Sequence, residues 1–256
     1  SQNRGQADRI QAGGQPTVHF RRGVRASQQT IVDPTRSLTA RDPSTPFGIY
    51  LHVPFCSTRC GYCDFNTYTA GELGSATSPA DWERAAAWEI ERAAEVLAGT
   101  GTAPTVDTVF VGGGTPSLVG ADVLVGLLYR IDATFGLTPG AEVTTESNPE
   151  STSPEFFARL REGGYTRISL GMQSTASHVL RVLDRTHTPG RPQEAVAEAL
   201  RAGFEHVNLD VIYGTPGESD DDLARTLDAV IDSGVDHVSA YSLIVEDGTA
   251  MARKVR

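Results

Sequence analysis

The sequence contains no apolar run of about eighteen residues, the length a membrane-spanning helix requires, and its opening, SQNRGQADRIQAGGQ, lacks the apolar core of a secretory signal. The expected location is therefore the cytoplasm. Cysteine is scarce as well, with three residues in 256, an odd number that argues against a disulfide framework. Positive charge is in deficit, for 22 Lys and Arg face 32 Asp and Glu, a formal net charge of -10. A nucleic-acid partner is not expected, because neutralising a phosphate backbone needs a basic surface.

The charge is unevenly spread. Residues 1–46 hold seven Arg and three Asp with neither Lys nor Glu, a net +4, so residues 47–256 carry -14. The first segment is rich in Gly, Gln, Ser and Thr and interrupted by Pro16, Pro34, Pro43 and Pro46. It reads as a low-complexity, disordered leader, and residues 47–256 as one globular domain with an ordinary 39% hydrophobic content for the whole chain.

From Pro46 onward short apolar runs alternate with amphipathic stretches. Strands are expected at 48–53, 105–111, 141–147, 166–171, 206–213 and 237–245. Helices are expected at 79–99, 121–135, 153–164, 176–183, 191–204 and 219–235; Trp82 and Trp88 of the first are expected to face the core, and the acidic start of the last suits a helix N-terminus. Strands alternating with helices imply parallel βαβ units, hence an open doubly wound sheet or an incomplete barrel, and periodicity does not choose between them. In both, ligands bind beyond the C-terminal ends of the strands.

All three cysteines fall there. Cys56, Cys60 and Cys63 form C-x3-C-x2-C in YLHVPFCSTRCGYCDF, directly after the first expected strand. Thiolates are soft ligands for zinc or an iron-sulfur cluster. Zinc would need a fourth ligand, for which His52 is the nearest candidate, but that residue sits inside the strand pattern. A [4Fe-4S] cluster usually takes four cysteines, so three leave one iron open to an exogenous ligand.

This spacing resembles the radical S-adenosylmethionine family. The resemblance implies a partial (β/α)6 TIM-type barrel, a [4Fe-4S] cluster on the three cysteines, and S-adenosylmethionine chelating the open iron through its amino and carboxylate groups. Reductive cleavage of the sulfonium then gives a 5'-deoxyadenosyl radical. Tyr62 matches the aromatic position that lies against the adenine.

Further motifs, GGGTPS (112–117), ESNPE (146–150), SLGMQS (169–174), LDRTHT (183–188) and LDVIYGTPGES (209–219), resemble the oxygen-independent coproporphyrinogen III oxidase-like family over residues 47–256, and within it the HemW type of heme chaperone. By that resemblance Gly113, Gly114 and Thr115 approach the methionine moiety, Glu146, Gln173 and Asp210 hold the ribose and amino-acid portions, and Tyr50 and Arg185 complete the site. Arg185 suits a carboxylate by charge and bidentate geometry. Ser242 is held more loosely to approach the adenosyl group. No catalytic residue is nominated, and His178, His187, His206 and His237 are read as structural.

The dehydrogenase type carries another cysteine two residues after the motif, where this chain has Phe65. That difference favours heme as cargo, delivered to acceptor hemoproteins such as respiratory cytochromes, with homodimerisation as a further expectation. The family's C-terminal domain is expected to be absent, since the chain stops shortly after the sixth strand.

Overall fold

A computed structural model describes residues 42, 44–73, 78–99 and 104–255 of the chain. The expected leader lies almost entirely outside the described residues. Elements follow in the order β1 (Gly48–Val53), β2 (Phe55–Cys56), β3 (Tyr68–Thr69), α1 (Ala70–Leu73), α2 (Pro79–Ala98), β4 (Val106–Gly113), α3 (Ala121–Phe135) and β5 (Leu137–Ser147). They continue with α4 (Pro154–Glu162), β6 (Arg167–Gln173), α5 (Ser177–Val182), α6 (Arg191–Arg201), β7 (His206–Tyr213), α7 (Asp220–Asp232), β8 (His237–Ser242) and α8 (Ala250–Val255).

Six strands form one sheet in the order β1-β4-β5-β6-β7-β8, every pair parallel. A doubly wound sheet reverses its strand order part-way, whereas a barrel adds each new strand beside the last. The uninterrupted order is the barrel's, which settles what periodicity left open. β2 and β3 make a separate two-stranded ribbon around the cysteine loop.

Alternation along each strand explains the layering. Val53, Val111, Ile168, Leu170, Leu209 and Val211 are fully buried against the helical layer. The residues between them, including His52, Glu146, Ser169, Asn208 and Asp210, share the opposite face, as the register Gly112 beside His52, Glu146 beside Ser169, and Gly171 beside Asp210 requires. Burying a Leu or Ile side chain contributes roughly 1.5–3 kcal/mol, so the helix-facing set is the main source of cohesion.

The helices start where local chemistry satisfies their first N–H groups. Ser78 with Asp81 caps α2 and Ser219 with Asp222 caps α7, each a reciprocal capping box. The acidic opening of α7 is thus both a cap and a favourable charge at the positive helix end.

One packing expectation is corrected. Trp82 is partly buried, stacks edge-on against Phe55 at 6.0 Å, and donates its indole N–H to the His52 carbonyl at 3.1 Å. Trp88, however, is 63% exposed. Six residues at 3.6 per turn place the two rings about 120° apart around the helix, so they cannot share one face. The last strand also ends earlier than expected, at Ser242, leaving Leu243, Ile244 and Val245 in the following loop.

Candidate cofactor site

β1 delivers the chain to the C-terminal rim of the sheet, where the loop after it carries the three cysteines. Cys56, Cys60 and Cys63 are all free and partly buried, and all line one cavity of about 390 Å3. That volume is within the range of roughly 300–1,000 Å3 typical of small-ligand sites. The loop is tied down from two sides: the Gly61 N–H donates to the Leu183 carbonyl at 2.9 Å and the Met251 N–H to the Gly61 carbonyl at 2.8 Å. Met251, Val179, Leu183 and Ile212 form a small apolar cluster with Tyr62 against it. Burial pushes the Cys63 thiol up, an effect its neighbouring thiols add to and the Phe65 N–H opposes.

The zinc alternative finds no ligand in His52. Its Nδ1 accepts from the Tyr50 hydroxyl at 2.9 Å and its Nε2 donates to the Asn66 carbonyl at 2.9 Å. Among the described residues no three His, Cys, Asp or Glu side chains converge to hold a single ion. A cubane has a different requirement, because each thiolate takes a separate iron.

The glycine-rich turn after β4 is docked directly onto this loop. Gly114 N–H donates to the Val53 carbonyl and Thr115 N–H to the Phe55 carbonyl, each at 2.7 Å. A Cβ at Gly114 would meet the Phe55 carbonyl oxygen at 2.4 Å and the Cys56 sulfur at 3.0 Å, so no larger residue fits without displacing the cysteine strand. Gly113 has φ 114, a conformation other residues avoid, and its N–H donates to Glu146 Oε2 at 3.0 Å.

Glu146, from β5, is largely enclosed. Burial raises its pKa to about 7, with the Asp210 carboxylate adding to the rise and the Gly113 N–H opposing it. Asp210, from β7, is also raised by burial, but it is better supported: Asn208 Nδ2 donates to it at 2.8 Å and Ser169 Oγ at 3.3 Å. Asn208 is itself held, donating to Ser169 Oγ at 2.7 Å and accepting from Ser239 Oγ at 3.2 Å.

Gln173 is the last residue of β6, with φ 63, beyond an irregularity in the pairing with β7. A positive φ on a non-glycine residue costs of order 1 kcal/mol, and such strain collects at functional sites. Among the described residues its buried Oε1 finds no hydrogen-bond partner, nor do Ser147 Oγ and Thr67 Oγ1, and all three residues line the cavity. Orphaned oxygens in one pocket fit a ligand that brings donors to them.

Arg185 follows α5 and reaches over the cavity. It donates to the Gly171 carbonyl at 3.1 Å, to Cys60 Sγ at 3.5 Å and to His187 Nε2 at 2.9 Å. Burial, reinforced by this guanidinium, lowers the His187 pKa to about 4, so the ring is a neutral acceptor at pH 7. The other histidines set aside from the sequence have partners too: His178 with Asp222 at 3.1 Å and His206 with Asp236 at 2.6 Å.

The cavity therefore gathers Tyr62, Gly113, Gly114, Thr115, Glu146, Gln173, Arg185 and Asp210 with the three cysteines. Ser242 also lines it. Tyr50 is placed differently: it is more than half exposed, its ring stacks on Phe110 at 6.1 Å, and it touches the site through His52 and outside the cavity lining. Sequence reasoning missed Asn148, Gly171, Ile212 and Tyr241 as lining residues. The first two lie inside motifs already noted; strand alternation with Asp210 would have indicated Ile212, and pairing of Ile212 with Tyr241 is visible only in the sheet.

Comparison with known proteins falls in line with this geometry. The profile of the radical SAM superfamily matches residues 50–230, from the middle of β1 to the end of α7. The chain belongs to the radical SAM superfamily. Among curated radical SAM relatives, it is 63% identical over 214 residues to the heme chaperone HemW of Mycobacterium tuberculosis (strain ATCC 25618 / H37Rv), covering 84% of this chain and 54% of that protein. It is 31% identical over 204 residues to the heme chaperone HemW of Escherichia coli (strain K12), covering 80% and 52%. Of solved radical SAM structures, coproporphyrinogen III oxidase (HemN) from Escherichia coli superposes with a TM-score of 0.75 at 27% identity, over 85% of this chain and 49% of that one. The chain spans about half the length of the curated relatives it matches. Membership of the superfamily implies a [4Fe-4S] cluster and S-adenosylmethionine. Among the described residues no helix is long and apolar enough to cross a membrane.

Proposed function

We propose that residues 47–256 form the cofactor-binding core of a heme chaperone, which binds heme and passes it to acceptor hemoproteins such as respiratory cytochromes. The observation that carries this reading is the 63% identity to a heme chaperone over 214 residues, with Phe65 in the place where the oxidase branch has its extra cysteine.

On this reading Cys56, Cys60 and Cys63 hold a [4Fe-4S] cluster and Gly113, Gly114, Thr115, Glu146, Gln173, Arg185 and Asp210 hold S-adenosylmethionine, with Tyr62 against its adenine. Tyr50 acts indirectly, by fixing His52. When bound, the cluster would supply an open iron site and an electron. The chain's own contribution is placement: Glu146 and Asp210 present acceptors to hydroxyls or an amine, Arg185 presents a forked cation to a carboxylate, and the glycine turn lets backbone groups approach closely. The cluster and cofactor support heme handling, with dimerisation as one route.

A second reading, oxidative decarboxylation of a coproporphyrinogen, is favoured by the superposition on coproporphyrinogen III oxidase. Anaerobic reconstitution followed by addition of hemin and, separately, coproporphyrinogen III separates the two. Stoichiometric hemin uptake without porphyrinogen turnover is the expected result; turnover to protoporphyrinogen would overturn it. In Cys60→Ser the charge-transfer absorbance of the cluster should disappear, and its survival would remove the metal assignment.

A further inference from the structure

The cavity has two halves of unlike chemistry. Its depth carries Glu146, Gln173, Arg185 and Asp210, whereas its mouth is edged by Phe65, Tyr241 and Ile244. These three large apolar residues are 56%, 57% and 64% exposed. Exposed apolar residues gathered on the rim of one polar-lined cavity are a feature of ligand-binding grooves.

Their positions in the fold are complementary. Phe65 lies on the loop after β1, and Tyr241 and Ile244 lie on β8 and the segment after it. Among the described residues, β1 and β8 are the two strands of the sheet with a neighbour on one side only. The aromatic ring on one edge and the Tyr-Ile pair on the other thus flank the gap at which the barrel stays open, while lining the same cavity. Phe65 lies two residues after Cys63, and its carbonyl accepts from the Thr67 N–H at 2.8 Å. Nearby, Arg59 also lines the cavity; one guanidinium nitrogen donates to the Thr67 carbonyl, and a second pairs with Glu72 at 3.5 Å, both side chains over two-fifths exposed, a contact weak enough to be exchanged for another carboxylate.

The whole cavity, mouth residues included, is about 390 Å3, near the lower end of the range for small-ligand sites. With S-adenosylmethionine held among its polar residues, that leaves the mouth rather than the depth for a tetrapyrrole. We infer that Phe65, Tyr241 and Ile244 form the cargo seat, gripping the faces and edge of a flat, largely apolar macrocycle, with Arg59 receiving one of its carboxylates. The inference rests on the heme-chaperone reading above and assigns the cargo a place separate from the S-adenosylmethionine half. Aromatic faces suit such a ligand because stacking adds to simple area burial.

The test is a hemin titration, followed by Soret absorbance, of the cluster-loaded chain with S-adenosylmethionine present. Phe65→Ala, Tyr241→Ala and Ile244→Ala are compared with Trp88→Ala, an exposed aromatic on α2 outside the cavity. Hemin affinity should fall at least about tenfold when Phe65→Ala and Ile244→Ala are combined, with cluster absorbance and S-adenosylmethionine affinity retained and Trp88→Ala like the wild type. Tyr241 and Ile244 are remote in sequence from the cysteines, so their single variants decide the matter if Phe65→Ala disturbs the cluster. Unchanged hemin affinity in those variants, with the wild type binding, overturns the seat and leaves the chaperone reading standing. Failure of the wild type to take up hemin overturns both.

Discussion

The two faces of the six-stranded sheet are made by alternate residues of the same strands, yet they obey different rules. In β6, Ile168, Leu170 and Met172 are buried against helices, while Ser169 and Gly171 look into the barrel. In β7, Val207, Leu209 and Val211 are buried against helices, while Asn208 and Asp210 face inward. One face lowers the free energy of the fold. The other spends part of it, holding carboxyls and amides out of water with incomplete partners: Glu146 and Asp210 both carry burial-raised pKa values, and Gln173 Oε1 has no partner among the described residues. What holds the chain together and what it would use are thus separated by a single residue of register.

That separation can be tested by substitution on either face. The largest effect on stability is expected from Leu170→Ala, which removes a fully buried side chain from the outer face; a loss of about 2–5 kcal/mol in urea unfolding is expected, and a loss under about 1 kcal/mol would break the distinction. Asp210→Ala, one residue along β7 from the equally buried Leu209, should behave in the opposite sense. S-adenosylmethionine binding, read by calorimetry, should weaken at least about tenfold, equivalent to about 1.4 kcal/mol, while apo stability stays level or rises because a buried carboxylate is removed.

A smaller effect, but one of defined sign, follows from Glu146. Its pKa is raised in the fold, so the protonated form is the one the folded chain favours, and stability from this group is full below the ordinary value of 4.5 and lost as pH rises through about 7. The difference in urea midpoint between Glu146→Gln and wild type should therefore grow in favour of the variant across that window. A parallel pair of pH profiles would show that Glu146 is not held in a raised state. The smallest effect is expected at Trp88, on neither face of the sheet: Trp88→Ala should alter unfolding free energy by no more than about 0.5 kcal/mol.

Much of this organisation was legible in the chain itself. The six strands fall where apolar runs were found, because burial on the helix side repeats every second residue whatever the global topology. The cysteine loop, the glycine turn and Glu146, Gln173, Arg185 and Asp210 were each identifiable from residue type and motif, and the fold brings all of them to one cavity. Tyr50 does not line that cavity, because strand alternation sets which side a residue faces but not whether neighbours cover it; three residues before the C-terminal end of β1, it meets Phe110 and His52 instead.

Sequence determined the periods, the capping boxes, and the thiol spacing with Phe65 after it, since each depends on residues a few positions apart. Tertiary structure decided between open sheet and barrel, put β1 and β8 at the two ends of the strand order among the described residues, and set Phe65 across one cavity from Tyr241 and Ile244. Those outcomes depend on how strands far apart in the chain stack side by side, and no local pattern records the order in which they do so.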